Sequence, residues 1–230
     1  MSERGAAAVE IVYGRNAVAE AERGRRHVHR VWQAPETSAE ELERRAGSPD
    51  HQGIVAEVDP YPYADPTTLL SAEDALVVAL DEVQDPHNLG AVCRTAEVAG
   101  AAGLVICERR AAQVTAAVCK ASAGAVEHLP VAHVRNLADW LAQAKQQGAW
   151  IYGADGDGAA APDDVELSGR TVIVLGAEGK GLRPRVAAAC DALVAIPQRG
   201  KVGSLNVSAA AAVLVFEAMR QRRAAAGASA

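Results

Sequence analysis

The sequence predicts an α/β protein built on a mostly parallel sheet and preceded by a small α/β domain. Three observations support this prediction. Short apolar runs alternate with amphipathic segments through most of the chain, which is the pattern of strand–helix–strand units. With 230 residues, 50% of them hydrophobic, the chain can bury one full domain and a second small one. Aromatic residues make up only 3%, so this core has to be made of alanine, valine and leucine.

The first part of the chain is predicted to form the small domain, over residues 1–58, here termed the head. Short apolar strands alternate there with two helix-like segments, NAVAEAERG and SAEELERRAG, and Ser38 is placed to cap the second one. A linker over 59–70 follows, because DPYPYADP carries three prolines within eight residues and favours an extended chain. The head is therefore expected to be a unit separate from the rest.

The remainder of the chain is predicted to hold the parallel sheet, over 71–224. Strands are expected at 75–80, 103–107, 129–134, 149–153, 171–175 and 191–196. Helices are expected in most of the gaps, at 88–100, 111–122, 136–147 and 205–224. The last residues, 225–230, are expected to be a disordered tail.

The composition argues against several kinds of protein. No run of eighteen apolar residues exists and the N-terminal stretch is charged, so neither a membrane span nor a signal peptide is expected. The four cysteines are widely spaced without a C-x-x-C pair, which is typical of reduced thiols in a cytoplasmic protein. The six histidines show no ligand spacing, so no metal site is predicted.

The charge of the chain bears on its possible partners. The formal net charge of -6 argues against nucleic acid, because phosphate contacts usually require a basic surface. The charge distribution weakens this argument, since an enzyme that visits RNA briefly needs only a local basic patch. Basic residues cluster near the N-terminus and beside the last glycine-rich segment: Arg15, Arg23, Arg25, Arg26, Arg30, Arg199 and Lys201.

Two glycine-rich segments follow predicted strands and indicate a binding pocket. The first is LGAEGKGL at 175–182, and the second is IPQRGKVGSLNVSAAAAV at 196–213. Parallel sheets bind ligands where the carboxyl ends of their strands free backbone N–H and C=O groups, so the two segments predict one composite pocket. Gly176, Gly179 and Gly181 allow a close approach or a positive φ, although such a loop is also typical of a plain tight turn.

These glycines do not match the known phosphate-binding loops. A Walker loop requires a lysine and a serine or threonine directly after its last glycine, whereas Leu182 follows Gly181 here. A dinucleotide fingerprint requires a helix to open at its glycines, whereas Arg183 and Pro184 come next. A pocket for a di- or triphosphate, and with it a nucleotide-dependent metabolic enzyme, is therefore disfavoured.

A third segment, DEVQDPHNLGAVCRTA at 81–96, follows another predicted strand. Asp85-Pro86 is a turn signal, and Asn88 is a candidate cap for the helix that continues from it. Arg94 lies nearly two turns further along that helix. By themselves, Asn88 is better explained as a helix cap and Arg94 as a surface charge than as functional residues.

Taken together, the three segments resemble the motifs of the SpoU (TrmH) family of RNA ribose 2′-O-methyltransferases. The motifs occur in order over about 70–224, as D-x-x-x-D-P-x-N-x-G-x-x-x-R-T-A, L-G-x-E-G-x-G and I-P-x-x-G-x-x-x-S-L-N-V-S-x-A. The head is similar, through VYGRNAV and HQGIVAEVDPY, to the substrate-binding extension of the subgroup that modifies a guanosine of 23S ribosomal RNA. It is shorter than that pattern by about one helix–strand unit between Pro35 and His51.

The resemblance implies a fold, a cofactor and an assembly. In similar proteins the last third of the domain is threaded through an earlier loop as a deep trefoil knot, and two chains pair as a homodimer to complete the active site. The methyl donor would be S-adenosylmethionine, held by Gly176, Ala177, Ile196, Ser204 and Leu205. The acceptor, a ribose 2′-hydroxyl, distinguishes RNA from DNA, so the expected partner is RNA and not DNA.

The resemblance also implies the catalytic residues, which are Arg94, Asn88, Glu178, Ser204 and Asn206. A guanidinium is effectively always protonated, so Arg94 is a poor general base. We expect it instead to hold a neighbouring RNA phosphate and to stabilise the alkoxide that develops on the 2′-oxygen. Asn88 and Asn206 are expected to fix the geometry of ribose and loop. The role of Glu178 stays open between orienting Arg94 and bracing the cofactor loop.

The leading hypothesis is therefore a cytoplasmic, dimeric methyltransferase that acts on a guanosine of 23S ribosomal RNA. Two alternatives stay open. The same chemistry would also suit transfer RNA or another site in ribosomal RNA. A non-catalytic RNA-binding or ribosome-assembly protein would keep the fold, but it would not need all five catalytic residues.

Overall fold

Two β-sheets organise the chain, one in the head and one in the larger part that follows. The computed structural model describes residues 8–201 and 203–228. Within them, a three-stranded antiparallel sheet precedes a six-stranded parallel sheet. The six-stranded sheet confirms the α/β fold class that the alternation of apolar and amphipathic segments predicts.

The head is built from strands and helices in alternation. They are β1 (Glu10–Tyr13), α1 (Arg15–Arg23), β2 (Val28–Gln33), α2 (Ala39–Ala46) and β3 (Ile54–Val58). The central strand is β3, which pairs with β1 on one side and with β2 on the other. As predicted, Ser38 caps α2, since its hydroxyl oxygen accepts a hydrogen bond from the Glu41 amide at 3.3 Å.

The larger sheet consists of strands whose pairings are all parallel. The strands are β4 (Leu76–Asp81), β5 (Gly103–Cys107), β6 (Val131–Val134), β7 (Trp150–Ala154), β8 (Thr171–Gly176) and β9 (Ala192–Val194). Their order across the sheet is β6-β5-β4-β8-β7-β9. Each overlaps a predicted strand, although β9 keeps only three residues of the expected 191–196.

Helices of the larger part cover both faces of this sheet. They are α3 (Pro86–Val98), α4 (Ala116–Ala121), α5 (Leu137–Gln146), α6 (Pro184–Ala189) and α7 (Val207–Ala228). Successive side chains of β4 point to opposite faces. Val78 packs in the core shared with α3, α7 and the head, whereas Val77 packs in the core shared with α5 and α6. The head therefore contributes to the core on one face of the sheet.

The first helix after β4 starts earlier than predicted and is capped by a different residue. The expected range of 88–100 placed Asn88 at the cap, but α3 begins at Pro86. The Asp85 carboxylate is the cap, because it accepts a hydrogen bond from the His87 amide at 2.9 Å. Asn88 lies instead in the first turn, 7% exposed, where its side chain is free to contact other segments.

Two further helices, α4 and α6, differ from expectation. The helix predicted at 111–122 is shorter in the structure, where α4 covers only Ala116–Ala121. It starts late because Gln113 holds the preceding loop in an irregular conformation. Its side-chain amide donates hydrogen bonds to the carbonyls of Cys107 and Ala111, at 3.2 and 3.0 Å. Helix α6 was not predicted, since it is short and lies directly after the glycine-rich segment.

The last helix runs further than predicted. It was expected to end at residue 224, but α7 continues to Ala228, so 225–228 are helical and not a disordered tail. The alanines of this stretch explain the extension, because alanine has the highest helix propensity. Residues 229–230 of the predicted tail lie outside the described residues.

A buried network joins the head to the larger part. Arg26 forms an ion pair with Glu127, and both side chains are only 1% exposed. The Tyr61 hydroxyl donates a hydrogen bond to the Val126 carbonyl at 2.9 Å and accepts one from Arg25 at 3.1 Å. The proline-rich segment therefore does not hold the two parts separate as expected, because its Tyr61 is buried between them.

Candidate cofactor-binding cleft

A cavity of about 590 Å³ opens at the carboxyl ends of β7, β8 and β9. Its volume is within the range of small-molecule sites, roughly 300–1,000 Å³. The structure brings together there all the residues that the sequence predicts to hold a cofactor: Gly176, Ala177, Ile196, Ser204 and Leu205. Glu178 and Asn206, which were predicted to be catalytic, line the same cavity.

The glycines after β8 shape this cavity by folding their own loop tightly. A side chain on Gly176 would place its Cβ 2.1 Å from the backbone carbon of Gly181, so the close approach is between two parts of the loop. Gly179 and Gly181 have φ values of 72° and 65°, in the left-handed region that favours glycine. The prediction of a close approach or a positive φ at these glycines is confirmed, and at Gly176 the close approach is to the backbone of its own loop.

Sequence reasoning missed the third wall of the cavity, which is formed by Ala154 at the end of β7 and by the next two residues, Asp155 and Gly156. The sequence does contain a signal for this wall, because β7 ends in G-A-D-G-D-G at 153–158, which is another glycine-rich strand end. It becomes informative only once β7 and β8 are known to be neighbours. The charged side chains among the described lining residues are Asp155 and Glu178, so the cavity wall is acidic.

A hydrogen-bonded trio connects the three sequence motifs at the cavity. The side-chain amide of Asn88 donates to Glu178 Oε1 at 3.1 Å, and that of Asn206 donates to the same oxygen at 2.5 Å. Asn206 also donates to the Asn88 side-chain oxygen at 3.0 Å. Its own oxygen accepts from the Ser208 amide at 2.8 Å and so caps α7. The trio therefore holds the Glu178 carboxylate in place without a positive charge.

Arg94 is the predicted catalytic residue that lies neither in the described lining of the cavity nor in the trio. It lies six residues after Asn88 on α3, which turns its side chain about 120° away from Asn88. It is exposed and has no hydrogen-bond or ion-pair partner among the described residues. Ser204, in contrast, lines the cavity and is exposed to it.

The surroundings of the cavity carry basic side chains. Lys180 and Arg199 are exposed and adjoin lining residues in the chain, and the exposed Lys201 lies two residues before Gly203 of the lining. Among the described residues, no group of three or more histidine, cysteine, aspartate or glutamate side chains is arranged to hold a metal ion. Over the same residues, no helix has the length and apolar character needed to cross a bilayer.

The fold and the cavity define the class of protein. The chain is an α/β protein whose parallel strands end at a small-molecule cleft that lacks a phosphate-binding loop and carries a fixed carboxylate. Residues 75–216 match the model of the SpoU rRNA Methylase family. The chain therefore belongs to this family, which confirms the resemblance seen in the three motifs.

Individual relatives extend this assignment beyond the matched residues. The chain is 39% identical over 241 residues to the putative TrmH family tRNA/rRNA methyltransferase YacO of Bacillus subtilis, across 93% of this chain and 96% of that protein. It is 44% identical over 195 residues to an uncharacterized tRNA/rRNA methyltransferase of Mycolicibacterium vanbaalenii. In that case the alignment covers 83% of this chain but only 62% of the relative's length.

A solved structure shows the same architecture with a cofactor. The SpoU methyltransferase AviRb from Streptomyces viridochromogenes, in complex with the cofactor AdoMet, superposes with a TM-score of 0.77 at 27% identity. The superposition covers 92% of this chain and 89% of AviRb. Because so much of this chain is covered, the likeness includes most of the head as well as the larger sheet.

Proposed function

We propose that this protein transfers a methyl group from S-adenosylmethionine to a ribose 2′-hydroxyl of RNA, at a guanosine of 23S ribosomal RNA. One observation carries the proposal. The three motifs meet at one cleft, where Asn88, Glu178 and Asn206 form a fixed polar trio beside a nucleoside-sized cavity. Membership of the family supplies the coarser assignment, an RNA methyltransferase.

The cleft suits S-adenosylmethionine in shape and charge. Leu175, Val194 and Ile196 give it apolar walls, and the strand ends supply free backbone groups for the edge of an adenine. The cofactor carries a sulfonium and an ammonium group, and the two charged side chains of the wall, Asp155 and Glu178, are both acidic. A triphosphate would be repelled by these carboxylates.

The residues of the chain would act mainly by positioning. When bound, the cofactor supplies an activated methyl group. Ile196, Leu205 and the backbone at Gly176 would hold its adenosine, and Ser204 would donate a hydrogen bond to the substrate ribose. Alignment of this kind contributes about 7–11 kcal/mol in well-oriented systems. Glu178 accepts both amide hydrogen bonds on Oε1, and Oε2 has no partner among the described residues.

The position of Arg94 supports a homodimer with a shared site. Its exposed guanidinium, which has no partner among the described residues, would reach the cleft of a second copy. There Glu178 Oε2 would orient it toward the RNA phosphate and the developing alkoxide. The buried face of α7 packs within its own protomer, at Val207, Ala211, Leu214, Val215 and Ala218. Val213 and Phe216, the exposed large apolar residues on the described part of α7, are available for a two-fold interface.

Other parts of the proposal rest on the family resemblance. They are the deep trefoil knot, the cytoplasmic location and RNA recognition by the head. Exposed Arg15, Arg23 and Arg30 support RNA recognition, whereas Arg25 and Arg26 are engaged at the junction with the larger part. Transfer RNA is the second candidate substrate, because the names of both relatives include tRNA.

The test of the activity is methyl transfer from labelled S-adenosylmethionine to total RNA, followed by mapping of the 2′-O-methyl positions. Label in a guanosine of 23S ribosomal RNA is the expected result. Label in transfer RNA would replace the substrate, and absence of both transfer and cofactor binding would contradict the enzyme proposal.

The test of the shared site is complementation between two inactive variants. Arg94→Ala should abolish transfer while leaving cofactor affinity unchanged, and Arg185→Ala, at an exposed arginine of α6, is the control. A mixed dimer of Arg94→Ala with Glu178→Ala contains one intact site of two. Equal co-expression should therefore restore about a quarter of wild-type activity, and no restoration would contradict a shared site.

A further inference from the structure

Asp81, the last residue of β4, holds a buried charge that the proposed chemistry does not use. Its side chain is 0% exposed. One carboxylate oxygen accepts a hydrogen bond from the Arg183 backbone amide at 2.8 Å, and the other accepts one from Arg183 Nε at 2.7 Å. A second guanidinium nitrogen lies 2.6 Å from the same carboxylate. Arg183 is thus fixed through both its main chain and its side chain.

The position of Asp81 in the sheet gives this contact a specific consequence. In the parallel register, Asp81 lies opposite Gly176, the last residue of β8. Arg183 is the first residue after the segment 177–182, here termed the cofactor loop. Both ends of the cofactor loop are therefore attached at one residue, by strand pairing at Gly176 and by the side chain of Asp81 at Arg183.

The cofactor loop forms a wall of the cleft and carries its fixed carboxylate. Ala177, Glu178, Gly179 and Gly181 all line the cavity. Within the loop, the Gly181 amide donates to the Ala177 carbonyl at 2.9 Å, which closes a tight turn. Glu178 at its tip is held by the two asparagines described above. A loop with two left-handed glycines is flexible by itself, so its shape depends on these attachments.

We propose that Asp81 is a positioning residue, which acts through Arg183 to hold the cofactor loop in the shape that binds the cofactor. The identity of the ligand rests on the function proposed above. Release of Arg183 would leave the loop in several conformations, of which only a fraction bind. Apparent affinity falls in proportion to that fraction, so a loop that is competent about a tenth of the time binds about tenfold more weakly.

The experiment compares three variants by calorimetry with S-adenosylmethionine. Asp81→Asn should weaken binding about tenfold. Arg183→Gln removes the guanidinium but keeps the backbone hydrogen bond, so it should weaken binding less; as Arg183 is 41% exposed, this variant also serves if Asp81→Asn does not fold. Arg185→Ala is the control, at an exposed arginine two residues after Arg183. It breaks only the ion pair with Asp139, at 3.7 Å, and should bind S-adenosylmethionine as wild type does.

Side-chain amide NMR signals report on the loop independently of the ligand. The chain has four asparagines, Asn16, Asn88, Asn136 and Asn206, so asparagine-selective ¹⁵N labelling gives a simple spectrum. Both variants, Asp81→Asn and Arg183→Gln, should shift or broaden the signals of Asn88 and Asn206, which contact Glu178, and should leave those of Asn16 and Asn136 unchanged. In Asp81→Asn the signal of the added asparagine has to be assigned first. A structural defect of the whole domain would move Asn136 as well.

The outcomes separate this proposal from the assignment of the cofactor. Wild-type protein that binds no S-adenosylmethionine would overturn the proposed function, and the NMR arm would still test the loop. The role of Asp81 would be overturned if a folded Asp81 or Arg183 variant kept wild-type affinity for S-adenosylmethionine and its Asn88 and Asn206 signals did not move. Equal weakening in Arg185→Ala would overturn it too, because the effect would then not depend on the buried pair.

Discussion

Glu127 at the junction with the head and Glu178 in the cleft are carboxylates in opposite surroundings. Glu127 is 1% exposed and paired with the equally buried Arg26. Burial opposes the charge of Arg26, yet its hydrogen bonds to Glu127 hold the pKa of this guanidinium above the ordinary value. Glu178 is exposed, and its hydrogen-bond partners among the described residues are the neutral amides of Asn88 and Asn206.

This difference separates a structural carboxylate from one suited to a site. A buried charge requires a paired counter-charge, and once paired it has no capacity left for a ligand. A carboxylate held by two neutral donors keeps its charge and one free oxygen, in a place that a ligand can reach. The comparison predicts that substitutions at the junction affect stability, whereas substitutions in the cleft affect binding and catalysis.

The largest expected effect is that of Glu127→Ala on folding. The substitution leaves the Arg26 guanidinium buried without its main partner, which should lower the free energy of unfolding by about 3–5 kcal/mol. Glu178→Ala, at an exposed position, should change it by no more than about 0.5 kcal/mol. Urea denaturation of both variants measures the difference, and similar losses would break the comparison.

A large effect on catalysis with little effect on stability is expected from Asn206→Ser. Serine keeps the cap of α7, so the free energy of unfolding should change by only a few tenths of a kcal/mol. Both amide hydrogen bonds of Asn206 are lost, and among the described residues Glu178 is then held by Asn88 alone. Methyl transfer should fall about a hundredfold, as it can when a group is misplaced by about 1 Å. Thermal unfolding and transfer rates test this, and unchanged transfer would show that the trio is structural.

An intermediate effect is expected from glycine substitutions in the cofactor loop. Gly176→Ala places a Cβ 2.1 Å from the Gly181 backbone, so the loop has to shift and cofactor affinity should fall at least about tenfold. A side chain at Gly179 meets no described residue within 4 Å, so Gly179→Ala suffers from left-handed strain, about 1–2 kcal/mol. Calorimetry ranks the two variants, and a larger loss in Gly179→Ala would contradict the loop packing.

The smallest expected effect is that of Glu217 on the pH dependence of stability. Its carboxylate is 17% exposed, between the buried Glu127 and the exposed Glu178. Hydrogen bonds from Arg220 and Gln221 lower the pKa of Glu217 from 4.5 to about 2. Because the folded-state pKa is lowered, this stabilisation is present above pH 4.5 and is lost as pH falls toward 2. Wild type should therefore exceed Glu217→Gln in thermal stability at pH 6 and match it near pH 2. A gap that widens in acid would contradict this sign.

Helix ends mark the limit of what local patterns predict. Asp85, Asn88 and Ser38 are all good caps by residue type, and the sequence identifies Ser38 correctly but prefers Asn88 to Asp85. The error has a physical reason, since Asn88 contacts Glu178, 90 residues away, and its side chain is not available to the helix end. A residue used by a distant partner cannot be recognised from its neighbours in the chain.

The sequence by itself determined the α/β class, the order of the elements, the glycine-rich strand ends and the family, because these depend on periodicity and on residues adjacent in the chain. Only the tertiary structure decided that Asn88, Glu178 and Asn206 meet, that the end of β7 is a third wall, and that Arg94 faces away from the cleft of its own chain. The physical reason is the strand order, which brings together residues 90 and 118 positions apart. Local patterns carry no information about which strands become neighbours.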